Sequence, residues 1–336
     1  MAIRSRRQDG LVHTTDQYGP RVVSVEDIDR AAARLDGRVR RTPVLTVEPG
    51  AAGLPAATVL KLELLQHTGS FKPRGVFNLL LSRKPVEGVV VASGGNAGLA
   101  VAYACRELER TATVFVPSSA PVVKVDRIRQ LGAQTVVGGD DYAHAYRAAV
   151  RRVSETGELM VHAYDGEELL AGQGTVAREL EEQAPDLDTV LVAVGGGGLV
   201  GGISSWYAGR VRVVAVEPER APTLHAALAA GEPVDVDVGG VAADSLGARR
   251  IGDHGLAAVL RAGVGSVLVT DAAILEARRR LWQDLRLVTE AGGATALAAL
   301  TSGAYVPQDG ERVGVVLCGG NTDPVDLSPS HPAGKE

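Results

Sequence analysis

The chain has 336 residues, of which 45% are hydrophobic and 22% charged, with a formal net charge of −5 at pH 7. This length allows one large or two medium domains around a sizeable core, and the absence of a basic excess speaks against nucleic acid as a partner. The two cysteines, Cys105 and Cys318, form no metal-ligand spacing, which excludes a disulfide framework and suits a reducing cytoplasm.

The chain opens on "MAIRSRRQDG", which is charged and has no apolar stretch of a secretory signal; residues 1–19 are expected to be a disordered tail. The segment "LLQHTGSFKPRGVFNLLL", 64–81, then sets a lone Lys72 behind a Gly-Ser-Phe turn. Taken alone, it reads as a helix from near Ser70 with Lys72 and Arg74 in an exposed first turn. Short β-branched runs predict strands at 58–63, 88–93, 111–116, 133–137, 189–194, 211–216, 265–270 and 312–317. Helical patterns lie between them, at 97–109, 122–131, 141–156, 166–182 and 271–284. Several of the runs are continuously apolar, as strands covered on both faces are. Alternation of this kind predicts mostly parallel sheets, and 41 glycines suit many tight strand-to-helix turns. The uncharged run from Gly88 to Cys105 approaches the length of a membrane span, but "SGGN" breaks it, so it reads as strand, turn and helix rather than as a membrane segment. Arg278, Arg279 and Arg280 read as a solvated helix face, Cys105 as core, and the Pro-rich end of the chain as disordered.

In open α/β sheets, ligands bind beyond the carboxyl ends of strands, and four loops there are unusual. "SGGNAG", Ser93 to Gly98, opens a helix, where backbone N–H groups make an anion site. "GGGGLVGG", Gly195 to Gly202, opens another, and its glycines let the backbone wrap a phosphate. "EAGGATA" starts at Glu290, and "CGGNTD" at Cys318. Gly196, Gly198 and Gly201 also satisfy G-x-G-x-x-G, with Glu217 about 20 residues on, so a dinucleotide-binding oxidoreductase or a non-catalytic Rossmann binder stays open. A nicotinamide site uses only the glycine cradle. A lysine that forms a Schiff base with a phosphorylated aldehyde uses all of these parts.

With "TGSFKPRG", "ASGGNAGLAVAYA", "LLAGQGTVARE", "VAVGGGGLVGGI", "VVAVEP", "TEAGGATALAAL" and "CGGNTD" in this order, the chain resembles the fold-type II pyridoxal-phosphate enzymes, over roughly residues 24 to 325. It is most similar to the serine/threonine dehydratase group, which includes the serine racemases. The resemblance implies a tryptophan-synthase-β-like α/β fold of two open twisted, mostly parallel sheets. It implies a large cofactor-binding domain from 20–82 and 164–328, a small domain at 83–163, and disordered tails at 1–19 and 329–336. It implies further that Lys72 forms the Schiff base with pyridoxal 5'-phosphate, that Phe71 packs beside the ring and that Asn96 bonds the ring hydroxyl. Gly195, Gly196, Gly197 and Gly198 would hold the phosphate, and Cys318 would face the pyridine nitrogen. Ser93, Gly94, Gly95, Asn96 and Ala97 would receive the substrate carboxylate, with Gly240 and Glu290 near substrate or ring. Glu217, the Ala221 carbonyl and Thr223 match a cation site of the family, and a hydroxyl at Thr223 suits K+ or another monovalent ion. A cytoplasmic homodimer is implied as well, and no C-terminal regulatory domain is expected, because the pattern ends near Asp323.

Chemistry adds to this. A lysine that attacks as a free amine must be partly buried, to bring it down from about 10.4. A thiol at Cys318 is mostly neutral near pH 7 and cannot hold a proton on the ring nitrogen as a carboxylate would. That favours elimination of a β-leaving group over transamination. The expected activity is an ammonia-lyase acting on L-threonine, L-serine or 3-hydroxyaspartate, with Lys72 as base. β-Replacement and racemisation are alternatives within the fold. Gly94 stands where serine racemases carry a second serine as base on the opposite face, which weighs against racemisation.

Overall fold

The computed structural model describes residues 20–118, 120 and 122–323; both tails expected to be disordered, and 324–328 of the expected large domain, lie outside the described residues. Ser24 starts the first helix, α1 (Val25–Leu35), with a reciprocal cap: its hydroxyl accepts from Asp27 N–H, and the Asp27 carboxylate accepts from Ser24 N–H. The strands β1 (Val44–Val47) and β2 (Thr58–Lys61) form an antiparallel pair, and α2 (Lys72–Ser82) follows. The chain then builds its smaller sheet: β3 (Gly88–Ala92), α3 (Asn96–Glu107), β4 (Thr111–Val116), α4 (Val122–Gln130), β5 (Gln134–Val137), α5 (Tyr142–Thr156) and β6 (Leu159–Val161). These four strands are parallel, in the order β5-β4-β3-β6.

The return to the larger sheet runs through α6 (Glu167–Gln183), β7 (Thr189–Ala193), α7 (Gly198–Tyr207), β8 (Arg212–Pro218), α8 (Thr223–Ala230) and α9 (Ala243–Leu246). It ends with α10 (Asp253–Ala262), β9 (Gly265–Val269), α11 (Asp271–Leu285), α12 (Ala291–Ser302) and β10 (Val313–Val316). The order is β1-β2-β10-β7-β8-β9, parallel except for β1. The eight expected strand runs are all present; Val44–Val47 and Leu159–Val161 are additional. Strands β2, β3, β7 and β10 are buried along their whole length, β3 and β10 with unbroken apolar patterns and β2 with Lys61 paired to Glu179 at its end. No helix among the described residues is long and apolar enough to cross a membrane, and Gly88–Cys105 is the strand, turn and helix expected.

The topology decides where a site can lie. Late strand β10 inserts between β2 and β7, so the segments following these three neighbours meet at one edge. They carry the Lys72 turn, Cys318 and the four glycines. An antiparallel bridge between Ser70 and Gly319, and Phe71 N–H donating to the Cys318 carbonyl at 3.2 Å, pin the first of these turns to the second.

Two surface expectations change. Arg74 is fully buried rather than in an exposed first turn, because α2 packs against α6 and its first turn faces Glu63 and Glu179. Arg278 is also buried: it shares a face of α11 with Ile274, Ala277 and Leu281, the i, i+3, i+4 positions turned to the core. There its guanidinium donates to the Thr289 carbonyl and to Thr322 Oγ1. Arg279 and Arg280 both pair with Glu276 and remain outside the core.

Candidate active site

One cavity contains Phe71, Lys72, Asn96, Gly195 to Gly198, Glu290 and Cys318, which brings together every residue expected around the cofactor. Lys72 opens α2, with Pro73 next, where a missing N–H costs nothing. Its Nζ donates to the Ala163 carbonyl at 2.9 Å and lies 5.0 Å from the Phe71 ring centroid. Among the described residues it has no ion pair. Burial therefore prevails over the attraction of Cys318 and Glu290 and brings the amine down to about 8.

Burial pushes the Cys318 thiol up to about 12, so it stays protonated, and its Sγ donates to the Gly292 carbonyl at 3.5 Å. Burial likewise raises Glu290 to about 7, opposed by a 2.6 Å hydrogen bond from Asn96 Nδ2. Glu290 and Cys318 were placed near the ring as separate residues; the structure sets them around one lysine.

The phosphate cradle is shaped by space as well as by donors. A Cβ at Gly196 would lie 2.1 Å from Tyr164 Cγ, and one at Gly198 would lie 2.2 Å from the Tyr164 carbonyl. Gly197 has φ +90°, in the left-handed region, and no side chain caps α7. The first N–H groups of α7 thus stand free of side-chain partners at the positive end of its dipole, as a phosphate needs. An amine brought down to about 8, a neutral thiol, an amide donor and an uncapped glycine turn fit pyridoxal phosphate.

On the other side, "SGGN" leads into α3, which also lacks a side-chain cap. Ser93, Gly94, Gly95 and Ala97 lie outside the cavity lining; Gly94 faces Ala120, and Gly95 faces the Asp244 carbonyl. Gly240 lies apart from the cavity, packed against the Asp271 carboxylate at φ +80°. Tyr164, Ser245 and Leu246 line the cavity without having been expected there. Tyr164 comes from the segment between β6 and α6, and Ser245 and Leu246 from the four-residue α9, too short for a periodicity to mark a facing side.

Glu217 has another use than those expected. It is fully buried, and its carboxylate accepts from Leu224 N–H, His225 N–H and Ser266 Oγ, with the Thr223 hydroxyl 3.3 Å away. It caps α8 and is closed to a ribose, which removes the support for a dinucleotide site. Thr223 Oγ1 also donates to the Gly195 carbonyl at 2.6 Å, bracing the glycine cradle. No cluster of His, Cys, Asp and Glu among the described residues could hold a metal.

A family model described as pyridoxal-phosphate dependent enzyme matches residues 35–319. The chain belongs to the pyridoxal-phosphate dependent enzymes. Within this family it is 39% identical over 313 residues to the biosynthetic L-threonine dehydratase of Mycobacterium leprae, covering 90% of this chain and 73% of the relative. It is 36% identical over 312 residues to the L-threo-3-hydroxyaspartate ammonia-lyase of a Pseudomonas species, covering 89% and 96%. Among solved structures, maize serine racemase superposes with a TM-score of 0.84 at 29% identity, over 91% of this chain and 96% of that one. This pyridoxal-phosphate enzyme has its family's two-sheet architecture, with the lysine, glycine and cysteine turns at the sheet edge described above.

Proposed function

We propose that the chain is an ammonia-lyase that converts an L-β-hydroxy amino acid, with L-threonine and L-serine foremost and 3-hydroxyaspartate next, into a 2-oxo acid and ammonia. The observation that carries this reading is Lys72: a buried amine at about 8, held by a single backbone carbonyl, beside a thiol that keeps its proton. The names of the dehydratase and ammonia-lyase relatives support it.

When bound, pyridoxal phosphate supplies an electron-withdrawing ring joined to the substrate's α-carbon. The chain's own residues do the rest. Gly195 to Gly198 take the phosphate on backbone N–H groups. Asn96 directs Nδ2 into the cavity as a donor for the ring hydroxyl. Ser93 to Ala97 take the substrate carboxylate, helped by the dipole of α3. Lys72, with its amine near 8, is neutral often enough near neutral pH to accept the α-proton. Cys318 holds its proton on Sγ and places no charge at the ring nitrogen, which keeps electron withdrawal moderate and favours prompt loss of the β-hydroxyl. Gly94 offers no proton on the opposite face, so one-sided elimination is favoured over racemisation.

The same reading includes a division into 20–82 with 164–328 and 83–163, a homodimer and a cytoplasmic setting. It does not require a cation at Glu217, whose oxygens are already engaged by three donors.

The test is 2-oxo acid release by the loaded enzyme from L-serine, L-threonine, L-threo-3-hydroxyaspartate and the D-forms of serine and threonine, with Lys72→Ala as control. Release from an L-hydroxy amino acid that disappears in the variant supports the lyase and names its substrate. A yellow enzyme that turns over none of them refutes it, and β-replacement with a thiol nucleophile is then the assay to run.

A further inference from the structure

The asparagine that closes "CGGN" has no part in the account above, yet it sits at the centre of a polar chain. Asn321 is 7% exposed. Its Oδ1 accepts from Arg127 NH1 at 2.9 Å, and its Nδ2 donates to the Thr68 carbonyl and to Asn96 Oδ1, each at 2.7 Å. Two of these partners cannot exchange roles: a guanidinium only donates, and a backbone carbonyl only accepts. The amide of Asn321 is therefore locked in one orientation. Asn96 must then turn Oδ1 toward Asn321, and its own Nδ2 is directed at Glu290 and the cavity.

We propose that Asn321 is a positioning residue that sets which end of the Asn96 amide faces the cofactor, with Arg127 and Thr68 as its two anchors. This rests on the reading of Asn96 as donor to the ring hydroxyl. Without Asn321, only Glu290 orients the Asn96 amide; a carboxyl that holds a proton can donate to Oδ1 as readily as a carboxylate accepts from Nδ2, so Asn96 can then present either end, and only the nitrogen stabilises an oxyanion.

Two features of the sequence serve this arrangement. Thr68 has φ +60°, a left-handed conformation uncommon for its type, and its carbonyl faces Asn321. Gly69, at φ +75°, leaves the room that Asn321 occupies; a Cβ there would lie 2.6 Å from Asn321 Oδ1. The chain also crosses between the two sheets. Asn96 and Arg127 belong to helices of the smaller sheet, while Thr68 and Asn321 flank the larger one. Arg127 forms no ion pair among the described residues, so its tie to Asn321 is its link across the cleft.

Asn321→Asp separates orientation from mere adhesion. The aspartate keeps the size and gains an ion pair with Arg127, but it has no proton for Thr68 or Asn96. Asn96 is then expected to reverse and turn its oxygen inward. The pH midpoint at which the bound cofactor's visible absorbance changes should rise by about one unit, the worth of one hydrogen bond to a charged oxygen. kcat should fall about tenfold with KM within about twofold. Asn321→Ala, which removes the donor without adding an acceptor, should give a smaller rise in the same direction, and it stands in should the aspartate variant not fold. Asn96→Ala reports on the underlying reading. A shift with Asn96→Ala but none with either Asn321 variant overturns the positioning role and leaves Asn96 its own. No shift with Asn96→Ala overturns both.

Discussion

Helix α2 carries a fully buried and a half-buried cation, two residues apart, whose surroundings are opposite. Arg74 enters a closed ionic cluster. Its guanidinium makes a 2.8 Å pair of bonds to Glu63 and bonds of 2.8 and 2.9 Å to Glu179. Lys61 joins the cluster through 2.8 Å bonds to Glu179, the Thr42 carbonyl and Gln183. Two cations face two carboxylates, and the fork geometry of the arginine is fully used. Lys72 has one carbonyl partner and no ion pair among the described residues. Both residues have left water. Saturation makes one a brace between β2, α2 and α6; the lack of it makes the other a reactive amine. The contrast shows that burial alone does not give a lysine its chemistry. A buried charge with good partners stays a charge, and one without them gives up its proton.

The comparison can be broken most sharply from the reactive side. Lys72→Ala should lower 2-oxo acid release by at least about 10³-fold, within the range a positioned base contributes, while the thermal midpoint stays level or rises. A variant that lost activity only because it unfolded would assign Lys72 to the braced class. From the braced side, Arg74→Met should cost about 3–5 kcal/mol in urea unfolding, because it leaves Glu63 buried without a cation and Glu179 with Lys61 alone. Arg74→Lys should recover only part of that, since an ammonium cannot span both carboxylates. A cost for Arg74→Met below about 1 kcal/mol would mean that the cluster is as dispensable as a surface pair.

Much of this contrast could not be read from the sequence. The turns with Lys72, Gly195 to Gly198 and Cys318 were legible because each directly follows a strand run, and parallel strands bring their carboxyl ends to one edge. The partners were not. Nothing local to Arg74 distinguishes it from a surface arginine, because Glu179 comes from a helix more than a hundred positions away. Arg278 was misread for a related reason: three arginines in a row look solvated until the register of α11 assigns one of them to the buried face. Strands β1 and β6 escaped because they are only four and three residues long and partly exposed. Tyr164 enters the cavity from an irregular segment and Ser245 from a single-turn helix, where side-chain direction follows from tertiary contacts.

Acidity provides a further test of the unsaturated side. Burial raises Glu290 from 4.5 to about 7. Between those values the folded protein holds a proton that the unfolded chain has lost. Stability from this group is thus fully present below about pH 4.5 and is lost as pH rises through about 7, a change of order 3 kcal/mol. Lys72 has the opposite sign of shift: the unfolded chain binds the extra proton between about 8 and 10.5, so stability recovers as pH rises across that window. Cofactor-free protein should therefore show a shallow minimum of stability between about pH 7 and 8. Glu290→Gln should flatten the acid side and Lys72→Met the alkaline side. A profile unchanged by both would place the two groups in water rather than in a dry cavity.

The smallest effect concerns Glu217, which sharpens the comparison by lying between its terms. It is as buried as Glu63 but has no cationic side chain; two backbone N–H groups and the Ser266 hydroxyl satisfy it instead. Burial raises Glu217, and three hydrogen bonds oppose that rise; bonds to a charged acceptor are worth about 1.5–3 kcal/mol each. Ser266→Ala removes one, at 2.6 Å, and should cost about 1–2 kcal/mol in urea unfolding. Exchanging potassium for tetramethylammonium at constant ionic strength should leave the unfolding midpoint unchanged, because neutral donors already saturate the site. If the exchange cost more than the loss of Ser266's hydroxyl, a cation would share Glu217 with these donors, and the carboxylate would join Glu63 and Glu179 among those that need a positive charge to stay buried.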